Sequence, residues 1–161
     1  MNYFKRVGVR SEKVTRIVIS FLVLVLPLPA MAVLGDTAGS VLTDQVRMKG
    51  TLHSQDAHTY IVHEITTPTG SVVREFVPPA GGAVFGVAWE GQFPPDLQQL
   101  LGPYYGQAKQ AVAQEQHRGR VPVVIETPGL VMYQTGHMRS YHGQAYIPQL
   151  LPQGVQSKDI R

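Results

Sequence analysis

The chain contains no cysteine. No disulfide, thiol nucleophile, cysteine-based metal site or lipid-modified N-terminal cysteine can arise from it, so its folded part must be held by core burial alone. Charge is also scarce, at 16% of residues, and the basic excess is unevenly placed. Five of the 14 Lys/Arg (Lys5, Arg6, Arg10, Lys13, Arg16) and one of the 11 Asp/Glu (Glu12) fall within the first 32 residues. The remainder has 9 basic and 10 acidic residues, a formal charge of −1 with histidine neutral. A chain so balanced has no global basic field to recruit nucleic acid or anionic lipid. The common chemical motifs are missing as well. There is no HExxH, HxH or HxxxH pattern, no GxSxG elbow around Ser40, Ser54, Ser71, Ser140 or Ser157, and no clustered carboxylate pair for glycoside chemistry. No internal repeat or low-complexity tract is present.

Long apolar runs are absent too. The longest, Ile17 to Leu28, covers 12 residues, short of the roughly 20 that a membrane-spanning helix needs. It follows the basic residues and precedes Ala30-Met31-Ala32, a small-x-small cleavage pattern. The expectation is a signal peptide over residues 1–32, removed on export, leaving residues 33–161 as one globular domain in the periplasm or outside the cell. No stable membrane anchor would survive cleavage.

The most structured stretch of that domain runs from Gly70 to Gly91. Val72, Val73, Phe76 and Val77 read as one strand, and Pro78, Pro79, Gly81 and Gly82 as the corner that ends it. A second strand alternates by size. Phe85, Val87 and Trp89 are expected on a bulky face, with Val84, Gly86 and Ala88 on a small face against which a helix can lie. That helix follows from Pro94, with Leu97, Leu100, Leu101, Tyr104, Tyr105, Ala108, Ala111 and Val112 in one stripe and Asp96 near its positive end. Gly102-Pro103 predicts either a kinked helix from about Pro94 to Gln116 or two helices meeting there.

Elsewhere the pattern is weaker. Ser40 can cap a short helix with Val41, Leu42, Val46 and Met48 on its apolar side and Gly50 as its end, and a strand fits so short a piece nearly as well. Thr51 to Ala57 reads as loop, and Tyr60 to Thr66 as a strand turning at Thr67-Pro68-Thr69-Gly70. Glu115 to Arg120 reads as a charged, polar linker. Val121 to Glu126 and Leu130 to Gln134 suggest a hairpin about a type II turn at Thr127-Pro128-Gly129. Gly136 interrupts the pattern; Met138 to Tyr141 and Gln144 to Ile147 suggest another hairpin around His142-Gly143. Gly136-His137-Met138-Arg139 reads either as a turn that aims His137 and Arg139 outward or as a sheet bend, and the tail from Pro148 reads as irregular. The fold class is α+β, an antiparallel sheet of about five to seven strands with one main amphipathic helix packed on it.

Candidate chemistry is sparse. His53, His58 and His63, and again His137 and His142, are spaced by five, which on one strand sends neighbours to opposite faces. A metal site from His137 and His142 would need a distant carboxylate. Ser140 lies two residues before His142 without an identifiable third partner. Arg74 and Glu75 sit inside an apolar strand, where each must be solvated or paired; the simple expectation is one solvent-facing and one in a cross-strand ion pair. Arg74, Trp89, His137, Arg139, Tyr141 and His142 are the candidate binding residues, since arginine and aromatic side chains are the usual anchors of interfaces. No catalytic set, metal site or cofactor site is expected.

Three blocks, VREFVPPAGGAVFGVAWEG, PPDLQQLLGPYY and GHMRSYHGQAYIPQLLP, together resemble the family of short secreted bacterial proteins designated domain of unknown function 2844. The resemblance covers about Ala32 to Arg161. It implies an exported, compact domain and carries over no activity, cofactor or catalytic residue. The functional expectation is a non-enzymatic binding domain acting on an envelope component or a partner protein. The alternative is an envelope hydrolase or metal-binding protein using His137 or His142. A small-ligand carrier is a third reading and would need a pocket between helix and sheet.

Overall fold

A computed structural model describes residues 34–114 and 122–161. The proposed signal segment and the 115–120 linker lie outside the described residues. Seven strands form one antiparallel sheet: β1 (Thr51–Asp56), β2 (Ile61–Thr66), β3 (Val72–Val77), β4 (Gly86–Gly91), β5 (Val123–Glu126), β6 (Val131–His137) and β7 (Ser140–Tyr146), in spatial order β1-β2-β3-β4-β7-β6-β5. Helix α1 (Ser40–Met48) precedes the sheet. Between β4 and β5 runs the main helical segment of 18 residues, composed of α2 (Leu97–Leu101), a 3₁₀ turn (Gly102–Tyr104) and α3 (Tyr105–Gln114). The fold is α+β, as the order of apolar patterns implies.

Register places Ile65, Val73, Trp89 and Gly143 in one row and Val87, Ala145, Met132 and Ile125 in another, all on one face. Leu100, Leu101 and Ala108 pack on that face to make the larger core, with Leu97, Tyr104, Tyr105 and Ala111 around them. The opposite face is covered in part by the C-terminal tail. Val155 and Ile160 close over Phe76, Phe85 and Ala88, and Tyr60 tilts against both phenylalanines with ring centroids 5.7 and 6.2 Å away.

Several expectations need correction. The alternation of β4 breaks at its start, because Gly86 is the register partner of Phe76 while the Phe85 N–H donates to the Phe76 carbonyl at 2.9 Å. Two residues thus oppose one, a β-bulge, and it turns Phe85 to the tail side. The small face of β4 therefore receives the tail, not the helix: a Cβ built on Gly86 would stand 3.0 Å from Ile160 Cδ1. The helix packs on bulky Val87 and Trp89. Thr51 to Asp56 is a strand, since an edge needs only backbone pairing on one side and its mostly exposed side chains can be polar. His142-Gly143 lies inside β7 and Gly136 inside β6; the turn is at Met138-Arg139, where Arg139 takes φ +63°. Gly129 does not take the positive φ that a type II turn requires.

The helices are capped differently from the simplest reading. Helix α2 begins after the prolines, at Asp96, whose Oδ1 accepts from the Gln98 and Gln99 N–H groups at 2.9 and 3.1 Å. Ser40 caps nothing; it is buried and donates its hydroxyl to the Thr37 carbonyl at 2.5 Å. Helix α1 ends at Lys49 (φ +51°), with the Gly50 N–H donating to Gln45 O at 3.0 Å. Only Val41 and Met48 of its apolar residues face the core, with Asp44 between them. Leu42 and Val46 are 60% and 75% exposed.

Gly143 illustrates why a glycine within a strand need not mark a turn. A Cβ there would stand 2.5 Å from Trp89 Cζ2 and 2.6 Å from the Tyr133 carbonyl oxygen, so the bare backbone is the floor on which the indole lies. Gly143→Ala is expected to cost about 3 kcal/mol through overpacking, measured by urea unfolding of the variant against the parent.

Candidate functional site

The tail covers only part of its face. Beside the residues it covers, Arg74 of β3 lies between Glu64 of β2 and Glu90 of β4. Its Nε donates to Glu64 Oε2 and its Nη2 to Glu90 Oε1, each at 2.8 Å. The register explains the triad: Glu64 is directly opposite Arg74, and Glu90 is diagonal to it, opposite Val72. Burial works against the guanidinium charge, but the hydrogen bonds and charges of Glu90 and Glu64 outweigh it and push the Arg74 pKa up. Exposed ion pairs usually contribute little, yet this side chain is only 25% exposed and holds two carboxylates at once.

Two open clefts meet at Arg74. One, of about 230 Å³, extends toward β7 and β6 past Glu90, His142, Gln144 and Tyr133. The other, of about 260 Å³, extends toward β1 past Glu64, His53, Tyr60 and Asp159. Arg161 lines both. Chemically this is a polar, aromatic-edged surface. Three of its charges, Glu64, Arg74 and Glu90, pair among themselves.

Of the residues singled out from sequence, Arg74 and His142 share this face. Trp89 borders the first cleft by its main chain only, since its side chain is 3% exposed on the helix-covered face with no hydrogen-bond partner for Nε1. His137 and Arg139 stand at the β6–β7 tip beside Met138, which is 88% exposed. Tyr141 is half-buried over Gly136, with parity that turns it to the helix side. The spacing-of-five argument fails for His137 and His142. The turn lies between them, so they sit on adjacent strands and project from the same face. Among the described residues no group of three or more His, Cys, Asp or Glu is arranged to hold a metal ion. Sequence reasoning missed Glu64, Glu90, Tyr133, Gln144 and Arg161. Glu64 was within reach, because the Thr67–Gly70 turn sets it opposite Arg74; the contribution of Arg161 depends on the path of the tail.

The neighbouring residue has the opposite surroundings. Glu75 is 1% exposed beneath α1, next to Asp44, which is 0% exposed. Asp44 Oδ1 accepts from Gln99 Nε2 at 2.5 Å, tying α1 to α2. Among the described residues, Asp44 Oδ2 and both Glu75 carboxyl oxygens have no other donor. Two bare carboxylates cannot coexist there, so the pair must hold a proton. Burial first, and then the Asp44 charge and hydrogen bond, push Glu75 up to about 9. Burial also raises Asp44, offset by its bonds to Gln99 and Glu75 and by the charge of Arg47. His63 faces Glu75 across the β2–β3 pair; burial lowers its pKa, and its Nδ1 lies 2.7 Å from Ser54 Oγ. The expected ion-pair-or-solvent choice thus holds for Arg74 and fails for Glu75.

The family described as protein of unknown function (DUF2844) matches residues 30–160. No curated protein and no solved structure matches the chain.

Two outcomes follow from the electrostatics. Glu75 binds its proton more tightly folded than unfolded, so its contribution to stability is fully present below about 4.5 and is lost as pH rises toward 9. Over that range the loss should be on the order of a few kcal/mol, and Glu75→Gln should flatten it in thermal melts taken from pH 5 to 9. Arg74→Met leaves Glu64 and Glu90 without their cation and should cost about 1 kcal/mol, read by denaturant unfolding at low salt.

Proposed function

We propose that this chain, which belongs to the DUF2844 family, is an exported, non-enzymatic binding domain, periplasmic or secreted, that recognises a cell-envelope component or a partner protein. In this reading residues 1–32 are a cleaved signal peptide and residues 33–161 are the single mature domain. The domain has no nucleic-acid role, no cofactor and no membrane anchor after cleavage. The observation that carries it is the Glu64–Arg74–Glu90 triad at the junction of two open clefts. Side chains already held in place lose little freedom when a partner docks, and aromatic and arginine groups in a shallow polar surround are the usual centres of recognition. Tyr133, 38% exposed beside the first cleft, supplies the aromatic component.

We further take the Gly102-Pro103 step as a kink in the main helical segment. The 3₁₀ turn there and Gly102 at φ +46° support it. The competing reading, a hydrolase or metal-binding protein using His137 and His142, draws its support from their common face. Alanine replacement of His137, which lines neither cleft, would abolish any turnover or metal uptake on that reading and leave binding by the Arg74 face untouched on ours.

The decisive experiment is capture from envelope extract with the exported protein as bait, beside a matched Arg74→Glu/Tyr133→Ala bait. A component enriched by the parent and lost with the double variant is the expected result. Equal enrichment by both baits, or none by either, contradicts the assignment. N-terminal sequencing of the exported material should begin after Ala32, and an intact Met1 removes the cleavage.

A further inference from the structure

On the opposite face of the sheet, packing between the main helical segment and the outer strands is incomplete. Leu101, Tyr105 and Val112 face Val123 and Met132 across a pocket of about 290 Å³. The floor is buried, with Leu101 at 0% and Met132 at 2% exposure, while Val112 at the mouth is 36% exposed. Its polar lining is Lys109 and Gln134. Among the described residues, no acidic side chain lines the pocket and no ion pair to Lys109 is found. The pocket is therefore apolar in depth and positive at one point, which is the complement of a molecule with one negative end and a hydrocarbon body.

The geometry points to a binding site for a medium-length amphiphilic anion, an unbranched carboxylate whose chain lies against Leu101 and Met132 and whose head group meets Lys109 and the Gln134 amide. The cavity sets the length. At roughly 30 Å³ per heavy atom, the share of one water in the liquid, the pocket of about 290 Å³ holds about ten carbon-sized groups. The sign of Lys109 sets the head group, since a cationic amphiphile of equal length would bring like charges together. This site lies across the sheet from Arg74 and does not depend on the binding role given to that face. It places the pocket required by a small-ligand carrier between α3 and β5–β6, not on the small face of β4.

Calorimetric titration of the full chain with hexanoate, octanoate, decanoate and dodecanoate tests it, with amide chemical shifts recorded alongside. Affinity should rise about fourfold per methylene and level off near decanoate, with shifts concentrated at Leu101, Val123 and Met132. Decyltrimethylammonium should bind at least tenfold more weakly. Val112→Trp should fill the mouth and abolish decanoate binding while circular dichroism stays unchanged. Lys109→Glu, a surface change that does not touch the core, should weaken decanoate at least tenfold and strengthen decyltrimethylammonium, and it gives the result even if Val112→Trp unfolds. Absence of any response to the whole series, as when the chain's own residues fill the pocket, overturns the proposal. So does equal binding of both head-group signs, or shifts confined to another face.

Discussion

Strands β3 and β4 have no solvent side along most of their length. Every residue from 84 to 89 is buried, as are Val73, Glu75, Phe76 and Val77, so the middle of the sheet is stable only if both faces are roofed. Without disulfides, two unlike roofs do this. One is regular, the leucine- and tyrosine-striped helical segment; the other is an irregular tail that inserts Ile160 against Gly86 and Val155 beside Phe85. The remaining architecture follows from that need. The bulge at Phe85 moves a large ring to the side where the roof is thin, and Gly143 thins the floor where the indole is thick.

The same constraint decides what happens to charge. Arg74 and Glu75 are adjacent, and pleating sends them to opposite faces. Arg74 emerges beside the part of this face that Val155 and Ile160 cover, where two glutamates reach it. Glu75 emerges under α1, sealed beside Asp44, and is neutralised by holding a proton. One dipeptide thus produces an open recognition surface on one side and a sealed acid pair on the other. The acid pair also explains α1's unusual exposure: its inward stripe is chosen by Asp44, which leaves Leu42 and Val46 outside.

Elements whose pattern is internal were readable before any coordinates. The helical stripe from Leu97 to Ala111, strands β2 and β3, and the Gly70 turn all carry their own periodicity or turn chemistry. Elements defined by a partner were not. The polar β1 has no apolar alternation to betray it, and Gly143 looks like a turn until Trp89 is placed against it. His137 and His142 read as diverging only while the Met138-Arg139 turn between them is unseen. The Arg74 cleft was half legible: the charge within an apolar strand announced a pairing, and hairpin register put Glu64 within reach although it was not named. Tyr133 and Arg161 come from strands and a tail whose positions depend on tertiary packing.

The order of strands has a kinetic corollary. β1 through β4 form one meander joined by short turns, and β5 through β7 form another, so each can assemble from near neighbours. Among the strand pairs described, the β4–β7 seam, pairing Gly86 with Tyr146 and Gly91 with Tyr141, unites the chain segments that are farthest apart. Closing so large a loop is the slow, entropically expensive step of such a topology. Two half-sheets with bare inner edges should therefore precede the joined molecule, and the seam between them sets the pace of maturation.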